Sequence, residues 1–182
     1  MEMAKRPPIR LSVSLDDETA KLIEKIQSKL GTSKADVVRL SVRYLNAAEE
    51  KGGVPLSTVS TCLDFLAKGE HVIVDVEHWH SLFEEIGDGS EKFWKEVREV
   101  GKNHWKEYYD KGLRSVKDVL DYVEKTNWYT MNVDSERDFT LILRVPSSKR
   151  FVRTFFEGLF DASPYQVKIS ESYGKIRMSV VT

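Results

Sequence analysis

A chain of 182 residues is long enough for one large or two small domains. With 41% hydrophobic and 31% charged residues it has the composition of a globular protein rather than a disordered one, and no stretch approaches the length of a membrane span. A net charge of -1 excludes a uniformly basic nucleic-acid binder, and the single Cys62 excludes an intramolecular disulfide.

The charge is unevenly divided. Residues 1–55 hold ten Lys/Arg against eight Asp/Glu, whereas the remainder holds eighteen against twenty-one. The opening MEMAKRPPIR has positive charge but no apolar run behind it, so no signal peptide is expected and a cytoplasmic location follows by default. Met1 to Pro8 is expected to be a flexible arm, in which Pro7-Pro8 blocks a helix and sets an extended entry into residues 9–15. Lys5 and Arg6 on that arm suit DNA phosphate contacts, and equally suit a solubilising terminus.

Ile9, Leu11, Val13 and Leu15 alternate with Arg10, Ser12 and Ser14, the pattern of a strand with one apolar and one short polar face. A helix is expected over about 17–30, capped by Asp16 or Asp17, with Leu22, Ile23, Ile26 and Leu30 as its buried stripe. Gly31 fits its C-terminus. Ser33 is the expected N-cap of a second helix, with Asp36 three residues on as an imperfect capping box. Val37, Val38, Leu40, Ser41, Tyr44 and Leu45 make its inner face, and it runs toward Lys51. One strand and two helices cannot close a core alone. Pairing with a second copy would give an antiparallel ribbon whose apolar face sits on four helices. Its polar face would then suit a DNA major groove, which admits a two-stranded ribbon.

The alternating strand, the Leu15-Asp16-Asp17-Glu18 helix entry and the Gly31-Thr32-Ser33-Lys34-Ala35-Asp36-Val37-Val38-Arg39 turn together resemble the ribbon-helix-helix DNA-binding repressors of the Arc, MetJ and CopG type. The resemblance covers roughly the first 50 residues. It implies an obligate homodimer on double-stranded DNA, with Arg10, Ser12 and Ser14 contacting bases. It also implies phosphate binding at the second helix's N-terminus, through the backbone amides of Ser33, Lys34 and Ala35 and the charge of Lys34. The competing reading of Arg10, Ser12 and Ser14 is the solvent face of an edge strand.

Gly52-Gly53-Val54-Pro55 reads as a hinge between a DNA-binding domain over 1–51 and a second domain over 56–182. Beyond it a helix is expected over Leu56 to Lys68, a short strand over His71 to Val76, and helices over Glu77 to Ile86, Ser90 to Tyr109 and Ser115 to Lys125. Strands over Trp128 to Val133 and Phe139 to Val145 come next, joined at Asp134-Ser135-Glu136. Ser147 is expected to cap a helix through Phe160, and Tyr165 to Ser170 and Lys175 to Val181 to close the chain as a hairpin. The second domain is therefore expected to be α+β with an antiparallel sheet.

Glu99-Val100-Gly101-Lys102-Asn103, and Phe155-Phe156-Glu157-Gly158-Leu159-Phe160 before a final hairpin, resemble the vinyl-reductase-type small-ligand-binding domain of some bacterial and archaeal regulators. The resemblance implies a sensor of a small ligand. That family often binds zinc through cysteines near its C-terminus; this chain has none there, so no such site is carried over.

Nickel-responsive members of the repressor class carry sensor histidines behind the same DNA-binding fold, so His78 and His80 invite a metal reading. On a strand both would point one way, with Cys62 as a further candidate ligand. Surface or core histidines are the favoured reading, because no second His/Cys pair stands at metal spacing. Trp79, Trp94, Trp105 and Trp128, with Tyr108, Tyr109 and Tyr129, form either core or the lining of a pocket for a small apolar or aromatic ligand. No catalytic motif is present, and no cofactor is expected. The expectation is a sequence-specific transcriptional regulator whose C-terminal domain senses a ligand or mediates oligomerisation, dimers pairing into tetramers in the latter case. The alternative is an antitoxin-like or adaptor protein whose C-terminal domain binds a protein partner.

Overall fold

The computed structural model describes residues 9–67, 69 and 71–181. The chain divides into two compact units between Pro55 and Leu56. Gly52 and Gly53 just before the boundary have φ of 93° and 71°, a left-handed backbone that side chains resist.

The first unit contains α1 (Asp17–Leu30) and α2 (Lys34–Glu49). Asp16 caps α1 by accepting from the Thr19 N–H at 2.7 Å, and Gly31 ends it at φ 61°. Ser33 Oγ caps α2 by accepting from the Asp36 N–H at 3.1 Å. The same hydroxyl donates to Asp36 Oδ2 at 2.6 Å, so the Ser33–Asp36 pair closes side chain to side chain rather than as a reciprocal capping box.

Two expectations fail in this unit. Residues 9–15 are not a strand. A strand exists through ladder hydrogen bonds to a neighbour, and none of the described residues pairs with 9–15 in that way. The expected helix stripes are also largely uncovered. Among the described residues of the unit Val37 is the buried hydrophobic one, while Leu22, Leu30, Tyr44 and Leu45 are half or more exposed. Two helices joined by a tight turn can only cover the strip along which they touch.

The second unit contains α3 (Leu56–Ala67), α4 (Val76–Ile86), α5 (Glu91–Asp110), α6 (Val116–Glu124) and, after two strands, α7 (Lys149–Asp161). The strands are β1 (Tyr129–Val133), β2 (Asp138–Leu143), β3 (Val167–Ser172) and β4 (Lys175–Val180). They form one antiparallel sheet in the order β1-β2-β4-β3. The unit is thus α+β. Phe139, Leu141 and Leu143 alternate inward on β2, as do Ile176 and Met178 on β4, and they join side chains of α5, α6 and α7 in one core. Among the described residues no helix is long and apolar enough to cross a membrane.

Tertiary context overrides local pattern at two further places. His71 to Asp75 is irregular rather than a strand, with Val72 and Ile73 more than four-fifths exposed; like residues 9–15, it has the strand pattern without a ladder partner. Ser147 caps no helix. Pro146–Ser148 form a short 3₁₀ turn that runs straight into α7, and the Ser148 hydroxyl is turned back onto the Val145 carbonyl at 2.7 Å.

The α5–α7 crossing sets the unit's geometry. A Cβ on Gly101 would lie 2.1 Å from the Phe155 carbonyl oxygen, and one on Gly158 would lie 2.0 Å from the Arg98 carbonyl oxygen. The two sequence motifs that carry the vinyl-reductase-type resemblance therefore meet face to face here.

Candidate nucleic-acid interface

The expected base-contacting side chains, Arg10, Ser12 and Ser14, are all exposed. Among the described residues none of the three makes a side-chain hydrogen bond or ion pair. The interleaved apolar residues are exposed too, from Ile9 at 97% to Leu15 at 50%. A segment with both faces open has no internal reason to keep an apolar alternation. Lys5 and Arg6 lie outside the described residues.

At the start of α2 the Asp36 N–H is engaged by Ser33, whereas the N–H groups of Ser33, Lys34 and Ala35 have no acceptor among the described residues. These are the donors a helix end offers to an anion. Two carboxylates nearby oppose that role. Lys34 Nζ pairs with Glu24 at 2.8 Å, both side chains about 60% exposed. Asp36 accepts from Ser33 Oγ and pairs with Arg39, and these contacts hold its pKa down to about 2. The charge of Lys34, expected to serve phosphate binding, is therefore partly neutralised in this arrangement.

Sequence reasoning missed Arg39 and Arg43. Together with Leu30, Thr32, Asp36 and Leu40 they line a concavity of about 350 Å³ beside the start of α2. Their i, i+4 spacing behind the Ser33 cap was the available signal, because residues so spaced share a helix face.

In the second unit the metal alternative loses its geometric basis. His78 and His80 stand on α4, not on a strand. At 3.6 residues per turn, positions i and i+2 point about 200° apart. His80 Nδ1 lies 3.0 Å from Ser147 Oγ, and His78 is exposed. Cys62 sits half-buried on α3. Among the described residues no group of three or more His, Cys, Asp or Glu could hold a metal ion.

The tryptophans and tyrosines pack on other aromatic rings, phenylalanines above all. Trp79 stacks near Trp128 at 6.3 Å and meets Phe83 edge-on at 4.7 Å, and Trp128 meets Phe155 at 5.3 Å. Tyr129 is fully buried with its hydroxyl donating to the Leu120 carbonyl at 2.7 Å, and burial pushes its pKa well up.

Lys111 ties α3 to α5 and α6: its ammonium reaches Asp64 at 2.5 Å, Tyr122 Oη at 2.6 Å and Glu107 at 2.9 Å. Burial works against the charged form, but hydrogen bonds to Asp64, Tyr122 and Glu107 outweigh it and hold the pKa above the ordinary lysine value.

Compared with known protein families, characterised proteins and solved structures, the chain matches none.

Proposed function

We propose that this protein is a sequence-specific DNA-binding transcriptional regulator acting in the cytoplasm. Residues 9–15 pair with the same segment of a second copy as a ribbon, the α1–α2 pairs of both copies cover its apolar face, and Arg10, Ser12 and Ser14 enter the major groove. The second unit senses a small ligand or holds dimers together. The observation that carries this reading is the exposed alternation of residues 9–15, directly followed by two capped helices whose apolar residues are mostly uncovered. Burial on a second copy removes all of that apolar surface from water at once. The reading of the second unit as an ordered sensor rather than a partner-dependent tail is supported by its own continuous core.

The test is selection of bound duplexes from a random pool by the full chain, then binding measurements with Arg10→Ala. Two-fold symmetry predicts enriched inverted half-sites. Arg10→Ala should cost roughly 1–3 kcal/mol on the enriched site and little on random DNA. Failure to enrich any sequence at low salt overturns the proposal.

A further inference from the structure

The second unit has a concavity of about 550 Å³ formed by α5, α7 and β3. Four cations line it, Lys95 and Arg98 from α5 and Arg150 and Arg153 from α7, against two carboxylates, Glu157 of α7 and Glu171 of β3. The lining is therefore net positive by two charges. That distribution is hidden in the sequence, because residues 95–98, 150–157 and 171 come together only across the α5–α7 crossing.

The hydrogen bonds already made decide what the groove can take. Glu157 is bridged by both arginines, receiving Arg98 Nη1 at 2.9 Å and Arg153 Nε at 2.7 Å. Glu171 receives Arg153 Nη1 at 2.9 Å and Lys149 Nζ at 3.2 Å. Every carboxylate oxygen of the lining thus already accepts a charged donor. The cations are not exhausted in this way. A guanidinium has five N–H groups. Arg98 uses three of them, on Glu157 and Asp161; Arg153 uses two and Arg150 one. Lys95 makes no ion pair and the Thr154 hydroxyl no hydrogen bond among the described residues. What remains on offer is a surplus of donors.

Those donors are held in place. Arg150 lies over the Trp94 ring at 4.3 Å and donates Nη1 to the Asp88 carbonyl at 2.7 Å. The same carbonyl accepts the Trp94 indole N–H. Gly89, at φ 62°, lets the loop close on that ring, since a Cβ there would meet Trp94 Nε1 at 2.9 Å. Arg98 and Arg153 are fixed by the Glu157 carboxylate they share, and by Asp161 and Glu171 respectively. Fixed guanidinium forks match the paired oxygens of phosphate and carboxylate groups.

We infer that this groove binds a small acceptor-rich dianion, a phosphate group or a dicarboxylate, with Arg150 and Lys95 as its principal ligands. In the proposed regulator this is the effector site, so the inference rests on that reading for its biological role but not for its chemistry.

The experiment is isothermal titration calorimetry of the full chain without DNA, using inorganic phosphate, succinate and, as a monoanion control, acetate. One dianion should bind at one per chain and acetate more weakly by about tenfold, the worth of one charge-assisted hydrogen bond. The stronger of phosphate and succinate names the source class. Lys95→Gln removes an exposed charge that makes no ion pair among the described residues, and Arg150→Lys keeps the charge but loses the fork. Each should weaken dianion binding by about tenfold. Absence of binding by both dianions up to about 10 mM, or wild-type affinity in both variants, overturns the inference. Dianion binding by a protein that enriches no DNA sequence would leave the groove standing and remove the regulator reading instead.

Discussion

Replacing Gly101 by alanine places a methyl group where α5 and α7 touch backbone to backbone. The new Cβ would lie 2.1 Å from the Phe155 carbonyl oxygen and 3.0 Å from the Leu159 nitrogen, where ordinary contact begins near 3.4 Å. The shortfall is about 1.3 Å, and no side chain can move aside because the obstacle is main chain inside a helix. The helices must separate by about an ångström, a gap that forfeits a quarter to a half of each dispersion contact it opens. Trp94, Val97, Phe155 and Leu159 make such contacts along this crossing. Alanine favours helix over glycine by about 1 kcal/mol, which offsets part of the loss. Overpacking against backbone costs about 1–3 kcal/mol or more, so a net destabilisation of about 2 kcal/mol is expected. Gly158→Ala should behave alike, its Cβ lying 2.0 Å from the Arg98 carbonyl oxygen, and the double variant should lose less than the sum because one separation accommodates both methyls. Urea unfolding monitored by tryptophan fluorescence reads this unit, since all four tryptophans lie in it. Asn103→Ala on the exposed side of α5 is the control. If Gly101→Ala proved as stable as the wild type or more so, helix propensity would be unopposed and the close crossing would be refuted.

Glu24→Gln should free Lys34 and strengthen binding to all DNA sequences, while Lys34→Ala should weaken it uniformly and lower the salt slope by about one; unchanged salt dependence in both variants would remove Lys34 from the phosphate contacts. A fragment beginning at Val54 should fold with a cooperative thermal transition, because its core is self-contained; a fragment lacking that transition would mean the division at Pro55 is not an autonomous boundary. Lys111→Met should destabilise the second unit by roughly 1–3 kcal/mol, because it removes the charged donor from three part-buried hydrogen bonds, to Asp64, Tyr122 and Glu107. The raised pKa means that the ammonium contributes fully below the ordinary lysine value of 10.5 and is lost only as pH climbs through the higher folded value, so the gap to wild type should hold across neutral pH and close in strong alkali.

Much of this protein was legible locally. Helix starts at Asp16, Ser33, Ser90 and Ser115 could be read because a capping side chain bonds the backbone two or three residues away, and the observed caps fall on those residues. The two hairpins could be read because alternation and turn residues sit within a few positions of each other. Strand pairing is different. Residues 9–15 and 71–75 carry strand-like patterns, yet among the described residues they have no ladder partner, whereas β2 and β4 find each other's edge. The pattern states which face is apolar; the partner that satisfies the backbone is a tertiary matter. The same holds for function. The sequence by itself determined the alternation of Arg10, Ser12 and Ser14 with apolar residues and the Ser33 helix entry, since both depend on adjacent residues. Only the tertiary structure decided that Glu24 pairs with Lys34. It alone gathered Lys95, Arg98, Arg150 and Arg153 into one groove, because charge acts through space and glycines more than fifty positions apart let two helices touch.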